Sequence, residues 1–232
     1  EVCQSQAKMI GQDFVVGAGG RTLRRYSMSG QVLATYEHEE GFDLGFPALS
    51  PCGLLFCLGY HDDADGLADD TQDEILVFDS HSLQLQRRFG RGLLHDAQRM
   101  AIGGASLYVS DSKHDCIRVF SFTGELLRSI RGEWRRPKCL LCANGRLYLT
   151  EQHESDWDYR EVSRPEGYSP EMGRRVFVMT TAGEALQTYA PELEAGRRLG
   201  DTMAVLGENL VLQVARVPKL IALEGLGHAQ LS

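Results

Sequence analysis

One short unit recurs along this chain: a strand-like run, a turn, then a second run. It reads most plainly in LYVSDSKHDCIRVFSFTGELLRSI, residues 107–130. Further copies are FVVGAGGRTLRRYSMSGQVLATY from Phe14, LLFCLGY with ILVFDSHSLQLQRRF from Leu54, LYLTEQ with VFVMTTAGEALQTY from Leu147, and LVLQVARVPKLIALEGLGHAQLS from Leu210. Each follows another short apolar run: AKMIG, PALSP, RMAIG, KCLLCA and TMAVLG. Self-similarity of this kind constrains architecture more than composition does. Gly30, Ser82, Gly124, Gly183 and Gly227 mark the same turn in each copy, at spacings of 52, 42, 59 and 44 residues. The two long spacings carry an excess of 11 and 19 residues at the same joint, so the underlying period is 40–44.

Within each copy, apolar residues alternate with period two, as in Ile75 and Val77, Ile117 and Val119, or Val176 and Val178, which is the strand period. A glycine at the last turn suits a tight hairpin with positive φ. Four antiparallel strands in roughly 40–50 residues make one blade of a β-propeller. The expected fold is therefore all-β, with residues 1–232 forming a single propeller domain. Five four-stranded blades are counted, and a six-bladed ring lacking one blade is the alternative. The innermost strands are predicted near Lys8–Ile10, Ala48–Ser50, Met100–Ile102, Cys139–Leu141 and Met203–Val205.

The Gly-His and Trp-Asp dipeptides of WD repeats and the paired glycines of kelch repeats do not recur. The third copy instead resembles an NHL repeat: a strand ending in Asp111, a polar turn through His114, the strand Ile117-Arg118-Val119-Phe120, then Gly124. The proline-led opening of the fourth copy, RPKCLLCANGRLYLTE, is similar to that family too. The resemblance implies a structural role for Asp111 and Arg118, tying neighbouring strands. Copies one, two and five lack the aspartate, and of these only copy one has the arginine, as Arg24.

The net charge of −8 is concentrated. Residues 61–74, HDDADGLADDTQDE, hold six Asp and one Glu with no cation, and 152–174 hold six acids against three Arg. The rest of the chain is near neutral, so nucleic-acid binding, which needs a basic stripe, is disfavoured. Arg128, Arg131, Arg135 and Arg136 read as a solvated surface. No apolar run reaches the ~18–20 residues of a membrane-spanning helix. The chain starts Glu-Val-Cys without Met, which reads as a removed leader or as part of a longer chain. The start also lacks a secretory h-region. Cys116, Cys139 and Cys142 lie in apolar runs and are expected to be reduced and buried, which points weakly to an intracellular compartment. Cys139-x-x-Cys142, with Cys52-x4-Cys57 as a second pair, has zinc-ligand spacing, but Leu140 and Leu141 fill the gap where a knuckle needs a tight turn.

Both long insertions, at 61–74 and 152–174, join the second strand of a blade to the third, so they rise from one face of the disc. The second contains Trp157, Tyr159 and Tyr168 beside Arg160 and Arg164, a composition suited to a protein contact; rings packed down on the disc are the competing reading. The first carries Asp62, Asp63, Asp65, Asp69 and Asp70, which would steer a basic partner. Asp63-x-Asp65-Gly66 with Asp69 partly matches a calcium loop, but His61 and Gln72 occupy its end positions, and a solvated acidic loop fits better. His61, His114 and His153 fall near the same face, where three imidazoles could ligate a metal; surface polar roles fit them better. No phosphate loop, nucleophile elbow or triad motif is present. The expected function is a non-enzymatic scaffold without cofactor, presenting its decorated face to a protein partner or larger assembly. A metal-dependent hydrolase or lyase with its site in the central channel is the alternative.

Overall fold

A computed structural model describes residues 7–17, 20–39, 42–61, 73–153, 169–217 and 219–223. The described chain is all-β, and its strands form five antiparallel sheets in strict sequence order. Blade one contains β1 (Ala7–Ile10), β2 (Asp13–Gly17), β3 (Thr22–Ser27) and β4 (Val32–Glu37). Blade two contains β5 (Phe42–Leu49), β6 (Leu54–His61), β7 (Glu74–Asp79) and β8 (Leu85–Phe89). Blade three contains β9 (Ala97–Gly103), β10 (Ser106–Asp111), β11 (Cys116–Ser121) and β12 (Leu126–Ile130). Blade four contains β13 (Pro137–Ala143), β14 (Arg146–Glu151), β15 (Val176–Thr180) and β16 (Ala185–Tyr189). Blade five shows β17 (Leu199–Leu206), β18 (Asn209–Val214) and β19 (Lys219–Leu223); its expected fourth strand lies outside the described residues.

The first strands contact one another in succession, β1 on β5, β5 on β9, β9 on β13 and β13 on β17. They form the inner layer of a β-propeller, and the predicted innermost runs fall on them. Each blade is apolar on both faces because strand side chains alternate, so cores form between blades. Val15, Leu23, Leu55 and Phe78 fill the space between blades one and two. Phe56, Val77, Leu107 and Phe120 join two to three, Ile117, Val119, Leu147 and Phe177 join three to four, and Tyr148, Val178, Leu210 and Leu212 join four to five. Among the described residues no such cluster joins blade five to blade one.

The turn between third and fourth strands repeats closely. Gly30 N donates to Ser27 O, Gly124 N to Ser121 O and Gly183 N to Thr180 O, and these glycines have φ of 83°, 98° and 100°. Blade two departs from the pattern. Its turn is one residue longer, Leu83 N donating to Asp79 O, and the positive φ of 55° belongs to the buried Leu83 rather than to Ser82. The Asp79 carboxylate stabilises this turn by accepting from the backbone N–H groups of His81 and Ser82 and from the Ser82 hydroxyl.

Blades are also stapled together by polar groups. Asp73 Oδ2 accepts from Ala97 N at 2.7 Å, and Asp115 Oδ1 accepts from Arg136 N at 2.6 Å. In both cases a carboxylate before the third strand of one blade holds the backbone that opens the next blade's inner strand. Charge-assisted bonds of this kind are worth ~1.5–3 kcal/mol when buried.

Candidate functional site

In an antiparallel blade, alternate connections lie on opposite faces. The β6–β7, β10–β11 and β14–β15 connections therefore share a face with the segments that open the next inner strands. On that face, buried carboxylates meet cations at each connection. Asp111, fully buried at the end of β10, accepts from Arg118 Nε at 2.9 Å and from His95 N at 3.2 Å, and His114 Nδ1 lies 2.8 Å away. The expected pairing of Asp111 with Arg118 is thus present, tying β10 to β11. Glu151 takes the equivalent place at the end of β14. It accepts from Arg175 Nε at 2.8 Å, from the second Arg175 nitrogen at 3.0 Å and from Arg135 N at 3.2 Å. Burial pushes its carboxyl up, and Arg175 only partly offsets this. At the first insertion the acid is Glu74, with His38 Nε2 at 3.4 Å, Arg88 at 3.7 Å and Arg91 at 3.9 Å. Burial opposes its ionisation, but His38, Arg91 and Arg88 prevail and hold it below its ordinary value.

These contacts revise the charge reading. Asp73 and Glu74, counted with the solvated acidic run, are buried, at 2% and 3% exposure. They belong to the blade. Asp62, Asp63, Asp65, Asp69, Trp157, Tyr159, Arg160 and Tyr168 lie outside the described residues. Of the three histidines, His114 is taken up by Asp111, and His153 packs where a β-carbon on Gly173 would meet its own at 2.5 Å. Among the described residues no group of three or more His, Cys, Asp or Glu is arranged to hold a metal ion. Cys52, Cys57, Cys116, Cys139 and Cys142 are free thiols. Cys116 and Cys139 are buried as expected, whereas Cys142 is only half-buried, its sulfur against Gly103 of the neighbouring inner strand. Among the described residues no helix is long and apolar enough to cross a membrane.

A second feature lies in the central channel, on charged residues to which the sequence assigned no role. The central channel holds a cavity of about 170 Å3 lined by Phe46, Pro47, Arg99, Met100, Cys139, Leu140, Asp201, Thr202 and Met203. Its walls come from four successive inner strands, and each strand is irregular at that level. Pairing of β5 with β6 shifts between Gly45 and Ala48, leaving Phe46 and Pro47 in the bulge. Pairing of β13 with β14 skips Lys138 and Cys139, and pairing of β17 with β18 skips 200–202. In β9 the slip falls at Gln98, next to Arg99. Bulges turn side chains out of the strand's alternation, and here they bring charged residues together. Lys138 Nζ lies 2.5 Å from Asp201 Oδ1, with the two side chains 12% and 24% exposed. Burial pushes the Lys138 ammonium down, against the pull of Asp201, and Arg198 and Arg99 add to the fall. Burial likewise opposes ionisation of Asp201, but Lys138, Arg99 and Arg198 outweigh it and keep the carboxyl below its ordinary value. The Arg99 guanidinium lies 3.5 Å from the centre of the Phe46 ring, a cation–π contact. Burial raises the Cys139 thiol to about 11, and its sulfur donates to Asp201 O at 3.3 Å. A signal for this site does exist in the sequence: Arg99, Lys138 and Asp201 stand at the head of RMAIG, KCLLCA and, two residues before Met203, TMAVLG.

No protein-family model matches the chain, and no curated protein does either. Solved structures do resemble it. A functionally unknown protein from Desulfotomaculum acetoxidans aligns at TM-score 0.64 and 13% identity over 90% of this chain and 62% of its own. The Neurospora crassa Pan2 WD40 domain aligns at 0.58 and 13% over 90% and 57%. The WD40 β-propeller domain of Doa1 aligns at 0.59 and 11% over 89% and 58%. The chain thus spans about three-fifths of the length of each of these structures. At such identities the likeness shows the β-propeller fold alone.

Proposed function

We propose that this chain is a non-enzymatic interaction scaffold that presents the face bearing 61–74 and 152–174 to a protein partner or larger assembly. The observation that carries this reading is the mounting of that face. Three successive connections rest on buried carboxylates, Glu74, Asp111 and Glu151, set against Arg88, Arg118 and Arg175. Rigid roots under long polar loops are the arrangement in which loops serve recognition. Trp157, Tyr159, Arg160 and Tyr168 supply the contact, and Asp62, Asp63 and Asp65 steer a basic partner. The repeats are read as NHL-like, on the third blade's Asp111–Arg118 pair. Solved WD40 domains of the same fold are consistent with a scaffold.

The test is a photo-crosslinker placed at Tyr159 and, as a control, at the exposed Ala105 between β9 and β10, on the opposite face. Replacing Asp62, Asp63, Asp65, Asp69 and Asp70 with Asn probes the steering. Deleting the whole run would also remove Asp73 and its bond to Ala97. The expected result is a defined protein adduct from position 159, weakened by added salt and by the Asn replacements. Equal adducts from position 105, or none from 159, would overturn the reading.

A further inference from the structure

We propose that this chain docks head to tail on a second copy of itself, the trailing face of blade five in one copy seated on the leading face of blade one in the other. This surface is separate from the loop face assigned above. A blade's leading face meets the blade before it, and its trailing face meets the blade after it. In blades two to four the leading face is filled by a cross-strand pair from the second and third strands: Leu55 with Phe78, Leu107 with Phe120 and Leu147 with Met179, all buried. Blade one holds Phe14 with Tyr26 in that place, and their rings stack at 5.5 Å but stay half-buried. The fourth strands repeat the contrast. Leu85 and Leu126 pack into their joints, whereas Val32, paired with Tyr26, is exposed. Met9, paired with Phe14, is 53% exposed. The leading face of blade one thus has the apolar make-up of a joint without the joint.

Blade five carries the complementary half. On their trailing faces, blades two to four set Phe56 with Val77, Tyr108 with Val119 and Tyr148 with Val178, all buried. Blade five sets Val211 with Ala222 there, beside the exposed Leu206 and Leu220, the latter 67% exposed. Packing of the inner strands runs from β1 through to β17 and does not return to β1 among the described residues. With Met9 and Leu220 this exposed, the two faces do not cover each other within one copy. Apolar faces of this kind mark interaction sites. Every joint in this structure covers a leading face with the trailing face of another blade, and a second copy brings an uncovered one. Charge favours the same pairing. Arg24, opposite Val16, is exposed on the leading face of blade one, so two such faces meeting would set arginine against arginine. Ala204, Val211, Gln213, Leu220 and Ala222 on the trailing face of blade five are uncharged. The contact is heterologous, so a pair of copies still offers one half at each end.

Sedimentation velocity of the full chain over a concentration series tests this. The chain should self-associate as concentration rises. Met9→Glu and Leu220→Glu, both at exposed positions, should each weaken association at least ~10-fold, because docking would bury an unpaired carboxylate in an apolar joint. Val32→Glu, on the same face as Met9, serves if Met9→Glu does not fold. Mixing the Met9→Glu and Leu220→Glu proteins should restore a complex that stops at one copy of each, since each variant keeps the half that the other has lost. A monomer at every concentration would overturn the proposal, and a lower melting temperature of both variants in that monomer would mark closure of the ring within one copy instead. Association that neither substitution weakens would overturn it too, as would a mixture of the two variants that stays monomeric.

Discussion

The turn glycines give a perturbation whose size can be worked from the structure. Gly30, Gly124 and Gly183 occupy the same turn with the same hydrogen bond and similar positive φ. Their surroundings differ. A β-carbon added at Gly30 meets nothing within 4 Å, whereas at Gly183 it would lie 2.6 Å from Ile130 Cγ2 and 3.1 Å from Ile130 Cγ1. Ile130 ends β12 of the preceding blade, so the glycine is where adjacent blades close against each other. Gly30→Ala should therefore cost only the backbone term, ~1–2 kcal/mol. Gly183→Ala should cost that and a further ~1–3 kcal/mol for overpacking. Urea unfolding followed by circular dichroism measures both. The decisive control is Ile130→Ala, which removes both Cγ atoms and leaves Cβ at 3.4 Å, an ordinary contact. In that background Gly183→Ala should fall back to the Gly30→Ala value, giving a coupling of ~1–3 kcal/mol in the double-mutant cycle. Additive losses at Gly183 and Ile130 would refute the idea that this glycine is required by blade packing.

Three further expectations follow from the polar interior. Arg118→Met leaves the fully buried Asp111 carboxylate without its guanidinium, and should destabilise by ~3–5 kcal/mol in denaturant titration; a loss within the scatter of surface substitutions would contradict the tie. Glu74 has a lowered folded value, so it contributes stability above its ordinary value of 4.5 that is lost as pH falls through the folded one; Glu74→Gln should flatten the acid limb of the melting profile, and an unchanged limb would show the clamp is idle. Burial holds Cys139 near 11 and Cys57 higher still while Cys52 is exposed, so mass-spectrometric mapping of alkylation at neutral pH should find Cys52 labelled in the folded protein and Cys57 and Cys139 labelled only on unfolding.

The propeller was legible because its two determinants are local. Alternation with period two names the strands, and Gly30, Gly124 and Gly183 name the hairpins, since few other residues tolerate those φ values. Blade two shows the limit. The spacing places its turn at Ser82, but Asp79 caps a longer turn in which Leu83 takes the positive φ. A side chain bonding its own backbone changes loop length without changing the apolar pattern, so the pattern is silent on it. The clamps were half legible. Asp111 and Arg118 stand out as a repeat feature, whereas Glu151 with Arg175, 24 residues apart, meets only once the chain between them is folded. Asp73 and Glu74 read as part of an acidic loop because composition cannot say where a run of acids enters a sheet.

The channel cavity was legible only as charges at the heads of the inner runs, and the reason also explains where it lies. An inner strand pairs with its blade on one edge only; its other edge faces the channel. Slipping the register there breaks a ladder on a single side, so a bulge costs less than it would in β6, β10 or β14, which pair on both edges. The inner strands can therefore depart from alternation at their opening residues while the outer strands keep the blade intact. A reading based on alternation assigns Lys138, Cys139 and Asp201 to regular strands and points them into the spaces between blades. The fold instead turns them together: Cys139 and Asp201 enter the wall of a shared cavity with Arg99, and Lys138 pairs with Asp201. Period and spacing carry the scaffold, whose cores demand regularity. Irregularity is cheap at both edge layers, and the outermost strands are bulged as well; the charges of the channel collect at the inner one.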